Sequence, residues 1–106
     1  MIVEYIRYLV ANPARGEVLR KAYAVVARQL DAAPECLGYE LARCEEDGNA
    51  WILRIEWRSM EAHLQGFRKG PHFAAFLDGI QDFMKEIAEM RHYTLTEVRA
   101  TKPETA

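Results

Sequence analysis

The 106 residues carry 14 lysines and arginines against 16 aspartates and glutamates, and half of them are hydrophobic, which is the balance of one globular domain with a single core. A formal net charge of -2 gives no long-range attraction to nucleic acid or to an anionic membrane surface, so neither is expected as a partner. No run of about 18 apolar residues and no leader pattern stands in the chain, and a cytoplasmic location is the expectation.

In chain order, Ile2 to Val10 is rich in β-branched and aromatic residues and is closed by Asn12-Pro13, which predicts a first strand. From Ala14 to Ala33 the apolar positions Val18, Ala22, Val25, Val26 and Leu30 recur at steps of three and four, predicting an amphipathic helix ended by Pro34. Leu37, Tyr39 and Leu41 then alternate with Gly38, Glu40 and Ala42, and Glu45 to Asn49 supplies a polar turn. The next strand puts Trp51, Leu53, Ile55 and Trp57 on one face and Ile52, Arg54 and Glu56 on the other. Cys36 and Cys44 are eight positions apart on one extended segment, roughly 26 Å at about 3.3 Å per residue, so they are not expected to pair.

Ser59 fits a helix N-cap, and Met60, His63, Leu64 and Phe67 form one helical stripe. Gly70-Pro71 interrupts it, and a new stripe runs through Phe73, Phe76, Leu77, Ile80, Phe83 and Met84. Met90 to Val98 turns strand-like again. The expected organisation is one domain over residues 1–98 followed by a polar tail over 99–106.

The order βαββαβ predicts an α+β, ferredoxin-like fold, with two helices on one face of a four-stranded antiparallel sheet. The other face would carry Glu40, Ala42, Cys44, Ile52, Arg54 and Glu56, too apolar for free exposure and too charged for a dry monomer core. A homodimer through that face is the expectation. Arg7, in an apolar strand, needs a carboxylate, and Glu40 or Glu56 is the simplest partner.

Motifs for serine hydrolysis, zinc proteolysis, disulfide exchange, phosphate loops and dinucleotide binding are all missing, so no cofactor is expected. A non-haem iron site would require two histidines and a carboxylate on one convergent face. Spacing imposes no such face on His63, His72 and His92, and no metal ligand is expected. His63 and His72 both fall on the inward stripes, where two readings stand: a rim residue bonded to backbone, or a polar group set in an aromatic wall. Tyr5, Tyr39, Trp57, Phe67, Phe73, Phe76 and Tyr93 could line such a pocket, and an imidazole in it is suited to take a phenolic proton.

The stretch Ile55-Glu56-Trp57-Arg58-Ser59-Met60-Glu61-Ala62-His63, with Phe67 and Gly70-Pro71-His72-Phe73 after it, resembles the antibiotic biosynthesis monooxygenase superfamily. Cys36-Leu37-Gly38-Tyr39-Glu40 is similar to its second strand, and the likeness runs from Met1 to about Val98. The resemblance implies a dimeric α+β barrel that oxidises small aromatic quinols or polyphenols with O₂, without metal or flavin. It also implies His72 as base or hydrogen-bond partner to the substrate hydroxyl and His63 as a second polar contact. Phe67 stands where many relatives carry His or Trp, which leaves a non-catalytic ligand-binding or stress-response dimer as the alternative. The haem-degrading branch has an Asn, a Trp and a haem-ligating His where this chain has Arg7, Phe67 and Leu77, so haem cleavage by that route is not expected, while His63 or His72 could still ligate iron in another geometry, which keeps haem binding as a third reading.

Overall fold

A computed structural model describes residues 1–104; Thr105 and Ala106, at the end of the expected tail, lie outside the described residues. The elements are β1 (Ile2–Leu9), α1 (Pro13–Ala32), β2 (Cys36–Arg43), β3 (Ala50–Trp57), a π-helical segment (Ala62–Phe67), α2 (Phe73–Ile80), a 3₁₀ segment (Gln81–Glu86) and β4 (Ile87–Thr94). Asn12 starts α1 by accepting a hydrogen bond from the Arg15 backbone N–H at 2.9 Å, with Pro13 at the first helical position. The Ser59 hydroxyl likewise accepts from the Ala62 N–H at 3.0 Å. Cys36 and Cys44 are free thiols.

The strands form one open antiparallel sheet in the order β2-β3-β1-β4, and the βαββαβ order is the ferredoxin-like fold read from the sequence. On the helix-covered face lie Ile2, Ile6 and Tyr8 of β1 with four β3 residues, Trp51, Leu53, Ile55 and Trp57, every one of them buried. Leu19, Tyr23, Val26 and Leu30 of α1 and Phe76 and Ile80 of α2 close the core from above. Removing these side chains from water is the main favourable term for the fold.

The second helical region departs from the single broken helix expected. It runs as a π turn, an α-helix of eight residues and a 3₁₀ turn, and β4 begins at Ile87 rather than Met90 and ends at Thr94 rather than Val98. Phe83 remains buried, whereas Met84 is largely exposed. The reason is a tie from the other side of the molecule. Arg15 donates to both carboxylate oxygens of Glu86 and to the Asp82 carbonyl, and its guanidinium lies 4.1 Å over the Phe83 ring, pulling residues 81–86 into a tighter turn against the start of α1.

The opposite sheet face carries Tyr5, Arg7, Ile52, Arg54, Glu56 and Tyr93. Arg54 pairs with Glu56 at 2.8 Å and with Glu40 at 3.6 Å. The partner of Arg7 is neither of those acids: it reaches Glu89 on β4 at 3.7 Å, because the register sets Arg7 directly opposite that residue. Beyond β4 the chain folds back on this face. The Leu95 N–H donates to the Met1 carbonyl, and Arg99 lies 3.8 Å from Glu56.

Candidate active site

In β1 the alternation Ile2, Glu4, Ile6, Tyr8 points under the helices, so a carboxylate stands where the pattern calls for an apolar side chain. Glu4 is 2% exposed. Its Oε1 accepts a hydrogen bond from Trp57 Nε1 at 3.1 Å, and the antiparallel register places His92 directly opposite it on β4. Both therefore project to the same side of the sheet.

His63 descends from the π-helical segment onto this pair. It is 3% exposed and its ring stacks on Trp57, with centroids 4.3 Å apart and planes 7° from parallel. Its Nε2 lies 3.7 Å from Glu4 Oε1, and His92 Nε2 lies 3.5 Å from Glu4 Oε2. His63 Nδ1 is 2.9 Å from His92 Nε2, while Arg68 Nε is 3.3 Å from His63 Nε2. A guanidinium can only donate, so Nε2 of His63 is the acceptor and its Nδ1–H donates to His92. π turns recur at functional sites; here the turn carries the two buried residues His63 and Phe67.

The electrostatics follow from burial. Burial, first of all, then the Arg68 guanidinium and the neighbouring His92 push the His63 imidazole down to about 3, so it is neutral at neutral pH. Burial pushes the Glu4 carboxyl up, opposed by the Trp57 hydrogen bond and by His92 and Arg68.

Beside these groups is a cavity of ≈ 260 Å³, near the lower end of pockets that hold small molecules. Its polar groups, Glu4, His63 and Arg68, stand with Trp57, and the remaining wall includes Ile6, Phe67, Phe73, Phe76, Ile80 and Met90. Phe67 packs edge-on against both Phe73 and Phe76 at 5.8 and 5.6 Å.

Of the residues expected to line a pocket, Trp57, Phe67, Phe73 and Phe76 do so. Tyr5 and Tyr93 project from the opposite sheet face, packed against each other at 5.6 Å. Tyr39 borders a different depression, between α1 and β2, with its hydroxyl donating to Asp31 at 2.6 Å. His63 is at the cavity's polar end. His72 is at the start of α2, where its Nδ1 meets Gln29 Oε1 of α1 at 3.2 Å, and it is not among the cavity's lining residues. Glu4, Arg68 and His92 were not singled out as site residues from the sequence. The signal for Glu4 was present: an acid in phase with three buried apolar positions is costly unless it has a task.

A family model described as antibiotic biosynthesis monooxygenase matches residues 1–79, from β1 to the end of α2. Among solved structures, a Bordetella bronchiseptica protein carrying that same family name is 23% identical, with a TM-score of 0.70 over 90% of this chain and 96% of its own. SnoaB, a cofactor-independent oxygenase from Streptomyces nogalater, is 19% identical, with a TM-score of 0.66 over 97% of each chain. Rv0793 from Mycobacterium tuberculosis is also 19% identical, with a TM-score of 0.64 over 96% of this chain and all of its own. At these identities the likeness is one of fold. No curated protein sequence matches the chain.

Proposed function

Because the chain belongs to the antibiotic biosynthesis monooxygenase family, we propose that it inserts one atom of O₂ into a small electron-rich aromatic hydroxy compound, a quinol or polyphenol, without metal or flavin. The observation that carries this reading is the cavity itself, an aromatic and aliphatic chamber whose polar groups converge from Glu4, His63 and Arg68. A flat hydrophobic ring fits the wall. Its hydroxyl meets the polar end, where Glu4, made more basic by burial, accepts the proton, neutral His63 accepts a hydrogen bond, and the Arg68 guanidinium stands by the oxyanion that remains.

The substrate then supplies every electron. For a hydroquinone the balance is quinol + O₂ → hydroxyquinone + H₂O: one oxygen atom forms a new C–O bond on the ring and the other leaves as water, with two hydrogens taken from the substrate. The likeness in fold to a cofactor-independent oxygenase supports the same reading. On this reading His92 acts on His63, holding its orientation through the 2.9 Å contact, and His72 serves as a tether between α2 and α1.

We further propose that two copies pair through the open sheet face. Support comes from its mixture of Tyr5, Ile52 and Tyr93 with the Glu40, Arg54 and Glu56 ion pairs, a composition suited to burial against a like surface.

The test of the reaction is O₂ consumption by chelator-treated protein against a panel of hydroquinones, naphthols and anthrone-like compounds. Uptake is expected with at least one class, falling by about 100-fold or more in Glu4→Gln, the lower end for loss of a proton-transfer group, and by about tenfold in His63→Ala, the loss of one hydrogen-bond partner. Loss in His72→Ala with His63→Ala unaffected would move the reaction to the start of α2. No uptake with any member of the panel would overturn the oxygenase reading.

A further inference from the structure

The convergence of two imidazoles and a carboxylate at the buried end of the cavity has a second chemical meaning. We propose that Glu4, His63 and His92 are a binding site for a divalent transition-metal ion, and that this ion and the substrate hydroxyl are alternative occupants of the same place. The competition rests on the oxygenase reading above; the metal site itself rests on the geometry alone.

Ligand atoms about 2.0–2.2 Å from one metal ion stand about 2.9–3.5 Å from each other in octahedral or tetrahedral arrangement. His63 Nδ1 to His92 Nε2 is 2.9 Å and His92 Nε2 to Glu4 Oε2 is 3.5 Å, so both separations already fit. One ligand atom from each of the three residues lies within 4.8 Å of the others. Imidazole with one carboxylate is a donor set for zinc, copper, iron or nickel rather than for calcium or magnesium, and two histidines with one carboxylate leave further coordination positions open. Here the adjoining cavity would supply them.

The surroundings hold the donors in place. Glu4 and His92 face each other across two paired strands, and Trp57 fixes the carboxylate by bonding Oε1, which leaves Oε2 free. The same indole is the platform under His63. Such outer contacts orient the ligands of metal sites. The ion would replace the His63–His92 hydrogen bond and require the other tautomer of His63, with Nδ1 ligating and Nε2–H directed at Glu4 Oε1, 3.7 Å away. Arg68, exposed to solvent, would give up its contact with Nε2. The ion would then sit on Glu4 Oε2, the carboxylate oxygen left free for the substrate hydroxyl, and would turn the His63 Nε2 acceptor into an N–H.

The experiment is titration of chelator-treated full-length protein with Co²⁺, read by ligand-field absorption, and with Zn²⁺, read by calorimetry; neither requires substrate. One ion per chain is expected, with affinity lowered at least about tenfold in Glu4→Gln and in His92→Ala. Far-ultraviolet circular dichroism and melting temperature establish that each variant is folded, and His92→Ala, at the sheet edge, is the safer of the two. Absence of cobalt bands and of zinc heat would overturn the site, as would binding unchanged in whichever variant is folded. With a turned-over substrate in hand, saturating Zn²⁺ should lower O₂ uptake by at least about tenfold. Uptake that is unaffected by bound zinc, or that rises with added metal, would overturn the competition. If no substrate is turned over, the oxygenase reading fails while the cobalt and zinc titrations still decide the site.

Discussion

Glu4 shows how one side chain can be expensive and retained. Its carboxylate is buried, and the Trp57 indole satisfies only Oε1, so the free energy of holding the charge is offset in part. Glu4→Gln keeps an oxygen for Trp57 and removes the charge. It is expected to leave the melting temperature equal or higher while lowering O₂ uptake by about 100-fold or more; a large loss of stability with activity intact would make the residue structural. Glu4→Ala should instead cost about 1–3 kcal/mol in urea denaturation, because it leaves the buried Trp57 N–H without a partner. A second buried polar pair lies across the core, where the Tyr8 and Tyr23 hydroxyls hydrogen-bond to each other. Burial holds both phenols above their ordinary range. A folded pKa above the unfolded one means the neutral pair contributes fully below about pH 10 and is lost as pH rises beyond it. Melting temperature should therefore fall steeply above about pH 10, and less steeply in Tyr23→Phe; parallel curves would show that the pair does not govern alkaline unfolding. At this scale the sequence was half legible. His63 and three aromatic lining residues, Phe67, Phe73 and Phe76, could be reached from helical spacing and Trp57 from strand alternation, because each period places them inward. The partners of His63 could not, since Glu4 and His92 meet it only through strand register and a π turn, neither of which leaves a mark on spacing.

Between elements, the tightest contact is α1 against α2. A β-carbon added at Gly79 would stand 1.9 Å from Val26 Cγ1, and a helical valine has little rotamer freedom with which to yield. Gly79→Ala is expected to cost about 1–3 kcal/mol by urea denaturation, and Val26→Ala in the same chain should recover part of that cost. Additivity of the two within about 0.5 kcal/mol would show that the helices simply move apart. The strands and α1 were readable to within a few residues because alternation, periodicity and Asn12-Pro13 act locally. The region from Met60 to Met90 was not, because the 3₁₀ turn is held by Arg15 from 71 positions away, a tertiary tie that no local pattern carries.

For the whole molecule, the βαββαβ order alone was enough to place two helices on one side and leave the other side bare. What lies on the bare side was only partly foreseeable. The acidic and basic residues of β2 and β3 do form a paired cluster there, but Arg7 of β1 pairs with Glu89 of β4, and Arg99 returns to Glu56 after the last strand. If that face joins two copies, Glu56→Lys sets a third positive charge beside Arg54 and Arg99 and should weaken the dimer by at least about tenfold in sedimentation equilibrium, like charges at a desolvated contact being costly. An unaltered dimer would place the interface elsewhere.

The π-helical segment has a genetic corollary. It is an α-helix with one residue too many, so deleting a single codon between His63 and Phe67, that of Gln65 for instance, lets the backbone relax to ordinary α pairing with no break in the helix. The same deletion brings His63 and Phe67 from four positions apart to three, and residues three apart on an α-helix still share a face, so both side chains keep their inward aim. A lineage could thus lose one residue here by a three-nucleotide deletion while keeping its sheet, its helices and the two inward rings, and a gap of one residue at this point is no sign that the site is gone.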